Sequence, residues 1–234
     1  MNKTTRSVTF VSPVYNDMKS ALQVLPELVR LASANFSDWE ILLADDASTD
    51  GSREWVTRFA SGKRHIRLIL HEKNQGIAKT YRQLYADAKN DVIVLFSLDG
   101  EWNPADAITL ATKLIRDNAD IVVGVRRKKS YTFWRSVVSA LYNIMTRVFF
   151  GFATQDAGSI KAMTKEVVRR IPIKSRGVFD EAERLIRANT LGYRIGFTGV
   201  NHRRCKKPKR GIRLFHVAEA LLDCIRVYAD IYRW

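Results

Sequence analysis

The sequence predicts an α/β fold: a mostly parallel central sheet with helices on both faces. Three observations predict it. Short runs rich in Val, Ile and Leu alternate with longer stretches of helical periodicity through the first half of the chain, the pattern of right-handed βαβ units. Of the 234 residues, 46% are hydrophobic and 27% charged, which supports one domain-sized core and excludes disorder, collagen and coiled coil as whole-chain descriptions. Carboxylates and turn residues follow directly on several of the apolar runs, at the edge where an open parallel sheet binds its ligands.

The elements follow in order. Val8-Thr9-Phe10-Val11 reads as a buried strand stopped by Pro13. Ser20 to Ser33 has helical spacing in Leu22, Leu25, Leu28, Val29 and Ala32. Glu40 to Ala44 is a second strand ending in Asp45-Asp46, and Ser52 to Ala60 a helix that Asp50 is placed to cap. Ile66 to Leu70 is a third strand and Ile77 to Ala88 a helix. Val92 to Phe96 is a strongly apolar fourth strand, Ala105 to Asn118 a helix and Ile121 to Val125 a fifth strand. Trp134 to Phe150 reads as an apolar helix with one polar stripe at Arg135, Ser139, Asn143 and Arg147. Leu214 to Trp234 is a final amphipathic helix, with Glu219, Asp223, Arg226, Asp230 and Arg233 on its polar stripe. The expected domains are therefore 1–213 and a C-terminal helix over 214–234 that docks on the domain, a membrane surface or a second copy.

Charge narrows the partners. The chain carries 39 basic and 24 acidic residues, a net charge of +15. Residues 1–100 hold 13 basic and 12 acidic residues, so the second part carries a net +14. A one-sided excess points to a polyanionic partner. Between His202 and Arg213, seven of twelve residues are Lys or Arg, without aromatic interleaving. That argues against nucleic acid and for phosphate or an anionic membrane surface, which contributes on the order of 1 kcal/mol per basic residue. Val137 to Ala153 is interrupted by Asn143 and Arg147, so no membrane span is expected. A polar start (Met1 to Ser7) and two cysteines, Cys205 and Cys224, fit a cytoplasmic protein without a signal peptide.

The rim residues carry the chemistry. They are Pro13-Val14-Tyr15-Asn16-Asp17, then Asp45 to Gly51, then Asn74-Gln75-Gly76, then Ser97-Leu98-Asp99-Gly100-Glu101. Neither the dinucleotide fingerprint nor the P-loop pattern occurs. Two adjacent acids at a strand end exceed what a turn needs, and an aspartate there can accept bonds from a base or ribose. In extended backbone Ser97, Asp99 and Glu101 would converge on one point, a hard-oxygen set suited to Mg²⁺ or Mn²⁺ shared with a diphosphate. Arg126 to Lys129 and the arginines of the following stripe suit an anion.

This ordered set resembles glycosyltransferase family 2, with the GT-A (Rossmann-like) fold. Within it the chain is most similar to the polyprenyl-phosphate hexose synthases of the dolichol-phosphate mannosyltransferase type. Later pieces match too: Gly124-Val-Arg126, Trp134-Arg135 with Ser139 and Asn143, Asp156-Ala-Gly-Ser159, Phe179 with Glu183 and Arg187-Ala188, and Val200-Asn-His202-Arg203. The resemblance covers about residues 6 to 213. It implies inverting transfer of a hexose from a nucleotide sugar (GDP-mannose or UDP-glucose type) to a polyprenyl phosphate, at the inner face of the membrane. By match, Pro13, Tyr15, Asp17, Asp46 and Gly76 bind the nucleotide sugar, and His202 and Arg203 lie on a loop closing over the diphosphate. Asp99 and Glu101 hold the metal, Mg²⁺ or Mn²⁺. Asp99, Arg126, Arg135 and Ser139 form the catalytic set, the last three holding a phosphate. The chain departs from the family's usual Asp-x-Asp followed by Gln: it has Ser97, Asp99 and Glu101. Many relatives carry C-terminal membrane spans; here the basic half and the amphipathic tail are expected to do the membrane work, alone, with a membrane-spanning partner or as a homo-oligomer. A lipid phosphate needs no general base, whereas a saccharide hydroxyl does. Transfer to a saccharide hydroxyl, and a GT-A binding or scaffold protein without catalysis, are the alternatives.

Overall fold

The computed structural model describes residues 6–127, 143–175, 179–203 and 214–232. Among the described residues seven strands form one sheet in the order β3-β2-β1-β4-β6-β5-β7. The strands are β1 (Val8–Val14), β2 (Trp39–Asp45), β3 (Ile66–Leu70), β4 (Val92–Leu95), β5 (Ile121–Arg126), β6 (Lys161–Thr164) and β7 (Ile195–Val200). The helices are α1 (Met18–Asn35), α2 (Ser52–Ala60), α3 (Ile77–Asp87), α4 (Pro104–Arg116), a short α5 over 143–150, α6 (Lys165–Arg170), α7 (Asp180–Thr190) and α8 (Leu214–Tyr232).

β1 to β4 pair in parallel, as the alternation predicts. Every residue of β1 and β2 is buried, because helices cover both faces of a parallel sheet. Phe10, Val14, Ile41 and Leu43 point to one core with α1, α2 and α4. Val11, Leu42, Ala44 and Leu95 point to a second with α3, α6, α7 and α8. Two strands escape the sequence reading. β6 runs antiparallel to both β4 and β5, and β7 extends the sheet parallel to β5. Gly124 is required where β5 passes β7, since a Cβ there would meet Val200 Cγ1 at 2.9 Å and the Ile160 carbonyl at 3.1 Å.

α8 is the expected C-terminal helix, and of the three surfaces expected for it one face docks on the domain. Its docked face holds Ala220, Asp223, Cys224 and Val227, all buried. Asp230, also on the predicted polar stripe, pairs with Arg187 at 2.7 Å and with Lys174. The polar stripe thus lies in part against α7, where Arg187 meets it. Leu221, Leu222, Ile225, Tyr228 and Tyr232 are exposed instead. They continue onto α5, where Phe149 and Tyr228 meet edge-on at 5.6 Å and Ile144 and Val148 are also exposed. No described helix is long and apolar enough to cross a membrane.

Candidate functional site

The loops after β1 and β2 are sewn together backbone to side chain. Asn16 adopts φ 55°. Its N–H donates to Ser48 Oγ at 3.1 Å, and its Oδ1 accepts from the Thr49 N–H at 2.8 Å. The Asp17 N–H donates to Ser52 Oγ at 3.0 Å and the Met18 N–H to Asp50 Oδ2 at 3.2 Å. Asp50 Oδ1 accepts from the Ser52 N–H at 3.0 Å. Asp50 therefore satisfies a first-turn donor of α2, although Gly51 is the N-cap residue. Pro13 is buried within β1, and Tyr15 is exposed at the rim, 49% accessible.

Asp46 is 4% exposed and acts as a clasp. Its Oδ1 meets His71 Nδ1 at 2.8 Å and accepts from the Gln75 N–H at 2.7 Å. Its Oδ2 accepts from the Gly76 N–H at 3.0 Å. The predicted nucleotide-contacting residues Asp46 and Gly76 thus bond to each other. The sequence reading missed His71, which also meets Gln83 Oε1 at 2.9 Å through Nε2. Neighbouring Asp45 is fully buried, with Ser48 N–H on Oδ2 at 3.2 Å and Arg53 at 3.5 Å.

The segment after β4 is turned, not extended, so strand alternation does not set where Ser97, Asp99 and Glu101 point. Ser97 Oγ accepts from the Asp99 N–H at 3.4 Å, and Asp99 Oδ1 from the Glu101 N–H at 3.0 Å. Gly100 has φ 79°, a conformation that favours glycine, and Ser20 Oγ holds the Asp99 carbonyl at 3.0 Å. The turn sends Glu101 toward the segment after β7. The Arg203 N–H donates to the Glu101 carbonyl at 2.7 Å, Trp102 and His202 form a β-bridge, and His202 Nε2 lies 3.4 Å from Glu101 Oε2. Trp102 takes the His202 ring edge-on at 4.9 Å and the Arg126 guanidinium over its face at 5.1 Å. Arg126 is fixed by Asp156, which accepts its N–H at 3.0 Å and pairs with its guanidinium at 3.4 Å. Asp99, Glu101, Arg126, His202 and Arg203 are therefore brought together around Trp102, a residue the sequence reading did not single out. A pocket of about 460 Å³ opens here between α1 and the turn, lined by Lys19, Ser20, Asp99, Trp102 and Arg203 among others. Arg135 and Ser139 lie outside the described residues.

Among the described residues no group of three His, Cys, Asp or Glu side chains is arranged to hold a metal by itself. Asp99 and Glu101 offer two hard carboxylates, the number Mg²⁺ takes when substrate phosphates and water complete its shell. The donor set fits a metal bound together with a diphosphate.

Beneath the rim, α7 opens with Asp180 and Glu181, both buried. Burial, followed by the Glu181 charge, pushes the Asp180 carboxyl up to about 7. Glu181 is held ionised by fully buried Lys161, 2.5 Å away, and accepts from the Tyr85 hydroxyl at 3.2 Å. The half-buried Tyr81 phenol is pushed up by desolvation and then by the charges of Glu181, Asp99 and Asp180, which ties these acids electrostatically to the rim.

Residues 9–172 match the sequence profile of glycosyl transferase family 2. The chain belongs to glycosyltransferase family 2. This family 2 chain is 31% identical over 166 residues to the undecaprenyl-phosphate 4-deoxy-4-formamido-L-arabinose transferase of Pectobacterium carotovorum, covering 70% of this chain and 50% of that one. It is 30% identical over 158 residues to the enzyme of the same name from Salmonella enteritidis, covering 65% and 47%. The chain spans about half the length of the curated relatives it matches. Glucosyl-3-phosphoglycerate synthase of Mycobacterium tuberculosis, solved with Mn²⁺, uridine diphosphate and phosphoglyceric acid, superposes with a TM-score of 0.72 at 18% identity, over 97% of this chain and 78% of that one. The same enzyme has been solved with Mg²⁺ and uridine diphosphate. The fold is of the GT-A type, with the mostly parallel sheet expected.

Proposed function

We propose that this chain is an inverting glycosyltransferase that moves a hexose from a nucleotide sugar to a polyprenyl phosphate at the cytosolic face of a membrane. The observation that carries the reading is the closure of the acidic turn by the His202–Arg203 segment beside Arg126. It puts two carboxylates and cationic groups at the carboxyl ends of the strands, where a charged diphosphate can be met from both sides. The named activity of the curated relatives supports a polyprenyl-phosphate acceptor.

In this reading Tyr15, Asp17 and the clasped Asp46–Gly76 loop form the nucleoside end of the site, and Pro13 fixes the strand end beneath them. Asp99 and Glu101 hold Mg²⁺ or Mn²⁺, which when bound offsets charge on the leaving nucleoside diphosphate. His202 and Arg203 flank that diphosphate. Arg126, oriented by Asp156, and Arg135 with Ser139 position the acceptor phosphate. That phosphate is ionised at neutral pH, so positioning and charge screening suffice and no proton need be removed. The exposed apolar strip of α5 and α8 is of the kind that marks interaction surfaces and suits the bilayer that supplies a lipid acceptor.

The test is transfer of labelled hexose from a panel of UDP- and GDP-sugars into butanol-extractable lipid, with Mg²⁺ or Mn²⁺. Label in the lipid phase, lost in Asp99→Ala, supports the reading. Donor binding without lipid product sinks the acceptor assignment. One observation favours a second reading: Asp180, beneath the rim, has its carboxyl pushed up to about 7 by burial and then by Glu181, the direction that suits a general base for a saccharide hydroxyl. Asp180→Asn abolishes transfer to a hydroxyl acceptor and spares transfer to a lipid phosphate.

A further inference from the structure

A second cationic cleft lies on a flank that shares no residue with the rim. It encloses about 320 Å³ between α3, α6 and α7, and its polar lining is Arg82, Tyr85, Lys165, Arg169 and Arg184. Among the described residues no carboxylate lines it. Its position is opposite to the rim: β6 ends at Thr164 beside Val92, the first residue of β4, so Lys165 sits at the amino end of that strand while Asp99 follows its carboxyl end.

The cations here are under-used. Arg184 is only 4% exposed. Its guanidinium rides over the Tyr85 ring at 4.7 Å, and its Nε is buried without a hydrogen-bond partner, as is that of Arg82. Arg82 gives one donor to the Ser175 carbonyl and Lys165 gives one to the Lys89 carbonyl, both neutral acceptors. Two acids of α7 feel these charges from outside the cleft: Glu181, hydrogen-bonded to Lys161 at 2.5 Å, is also lowered by the Arg184 charge, and the Arg82 charge opposes the rise that burial and Glu181 impose on Asp180. A buried guanidinium with an unmet donor is costly. Forked guanidinium donors beside an ammonium, stacked on an aromatic face, match a tetrahedral oxyanion.

We propose that this cleft binds a phosphomonoester, its phosphate gripped by Arg82, Arg184, Lys165 and Arg169. The volume, at the low end for ligand pockets, suits a phosphate with a small carrier group. A soluble phosphorylated metabolite and a phospholipid headgroup share that chemistry. Occupancy ties α6 and α7 to α3 and does not draw on the donor site.

The test is calorimetric titration of the chain with inorganic phosphate in chloride buffer at constant ionic strength. Saturable binding, weakened about tenfold or more in the Lys165→Gln/Arg169→Gln variant, is expected. Both altered side chains are at least partly exposed, so the fold is retained, and circular dichroism checks that. Arg184→Gln weakens binding further if it remains folded. Glycerol 3-phosphate is then compared with phosphatidylcholine vesicles carrying phosphatidic acid; the tighter ligand identifies the source. No saturable phosphate binding in the wild type, or binding unaffected by the double variant, overturns the proposal.

Discussion

Replacing Asp180 by Asn removes an ionisation that the fold resists. The amide keeps the shape of the protonated acid, so only the cost of charging is lost. Burial and then Glu181 raise the Asp180 carboxyl from 3.8 to about 7. At about 1.4 kcal/mol per pH unit, that rise favours the protonated form by about 4 kcal/mol. Between about pH 4 and pH 7 the folded protein keeps a proton that the unfolded chain releases, so this group lowers stability as pH rises and then levels off. Asp180→Asn should match the wild type at pH 4 and exceed it by up to about 4 kcal/mol at pH 8. In a chain this long that is a rise in melting temperature of roughly 10 °C. Urea unfolding followed by circular dichroism at half-unit pH intervals gives both curves. Parallel curves from pH 4 to pH 8 would refute the reasoning, as would a variant less stable at pH 8.

Three other outcomes are expected. Asp46→Ala strands the His71 ring and two backbone N–H groups and should cost about 2–4 kcal/mol in chemical denaturation; weaker donor binding at unchanged stability would show that the clasp matters only to the ligand. Gly124→Ala drives a methyl into Val200 at 2.9 Å and should cost about 1–3 kcal/mol, with Val200→Ala in the same chain restoring most of it. Leu221→Ser with Ile225→Ser, at positions 48% and 55% exposed, should reduce co-sedimentation with anionic vesicles at least about tenfold while leaving the melting temperature unchanged; undiminished vesicle binding would assign the strip to another partner.

The first four strands were legible because parallel strands covered on both faces read as unbroken apolar runs. β6 was not: it is four residues, Lys-Ala-Met-Thr, and its leading lysine is buried where the Ala157 carbonyl and Glu181, 20 residues away, meet it. β7 hides behind Gly196 and Gly199, which weaken any strand pattern. At the site, the strand-end acids stood out, but their geometry did not. Asp46 turns inward because His71 and the 75–76 N–H groups surround it, a fact of folding and not of spacing. The turn at Ser97 to Glu101 had a local signal in Gly100, outweighed by the extension of the preceding strand. On α8 the polar stripe was legible, but not which of the three docking surfaces it meets. Its partner Arg187 is 43 residues distant from Asp230, beyond the reach of any helical-wheel argument.

β6 also decides the order in which the sheet can assemble. It stands between β4 and β5, so those two strands are never hydrogen-bonded to each other although they adjoin in sequence. β1 to β4 and their helices can close on nascent chain of about the first 100 residues, since every pairing among them is complete by Leu95. β5 has no edge to join until Lys161–Thr164 has emerged and docked. The late half of the sheet, with Arg126 and His202, therefore registers against an early, preformed half through one four-residue strand. Such non-local closure is the slow step in chains of this kind. Amides of β5 and β7 should gain protection together, after those of β1 and β2, in pulsed hydrogen exchange during refolding.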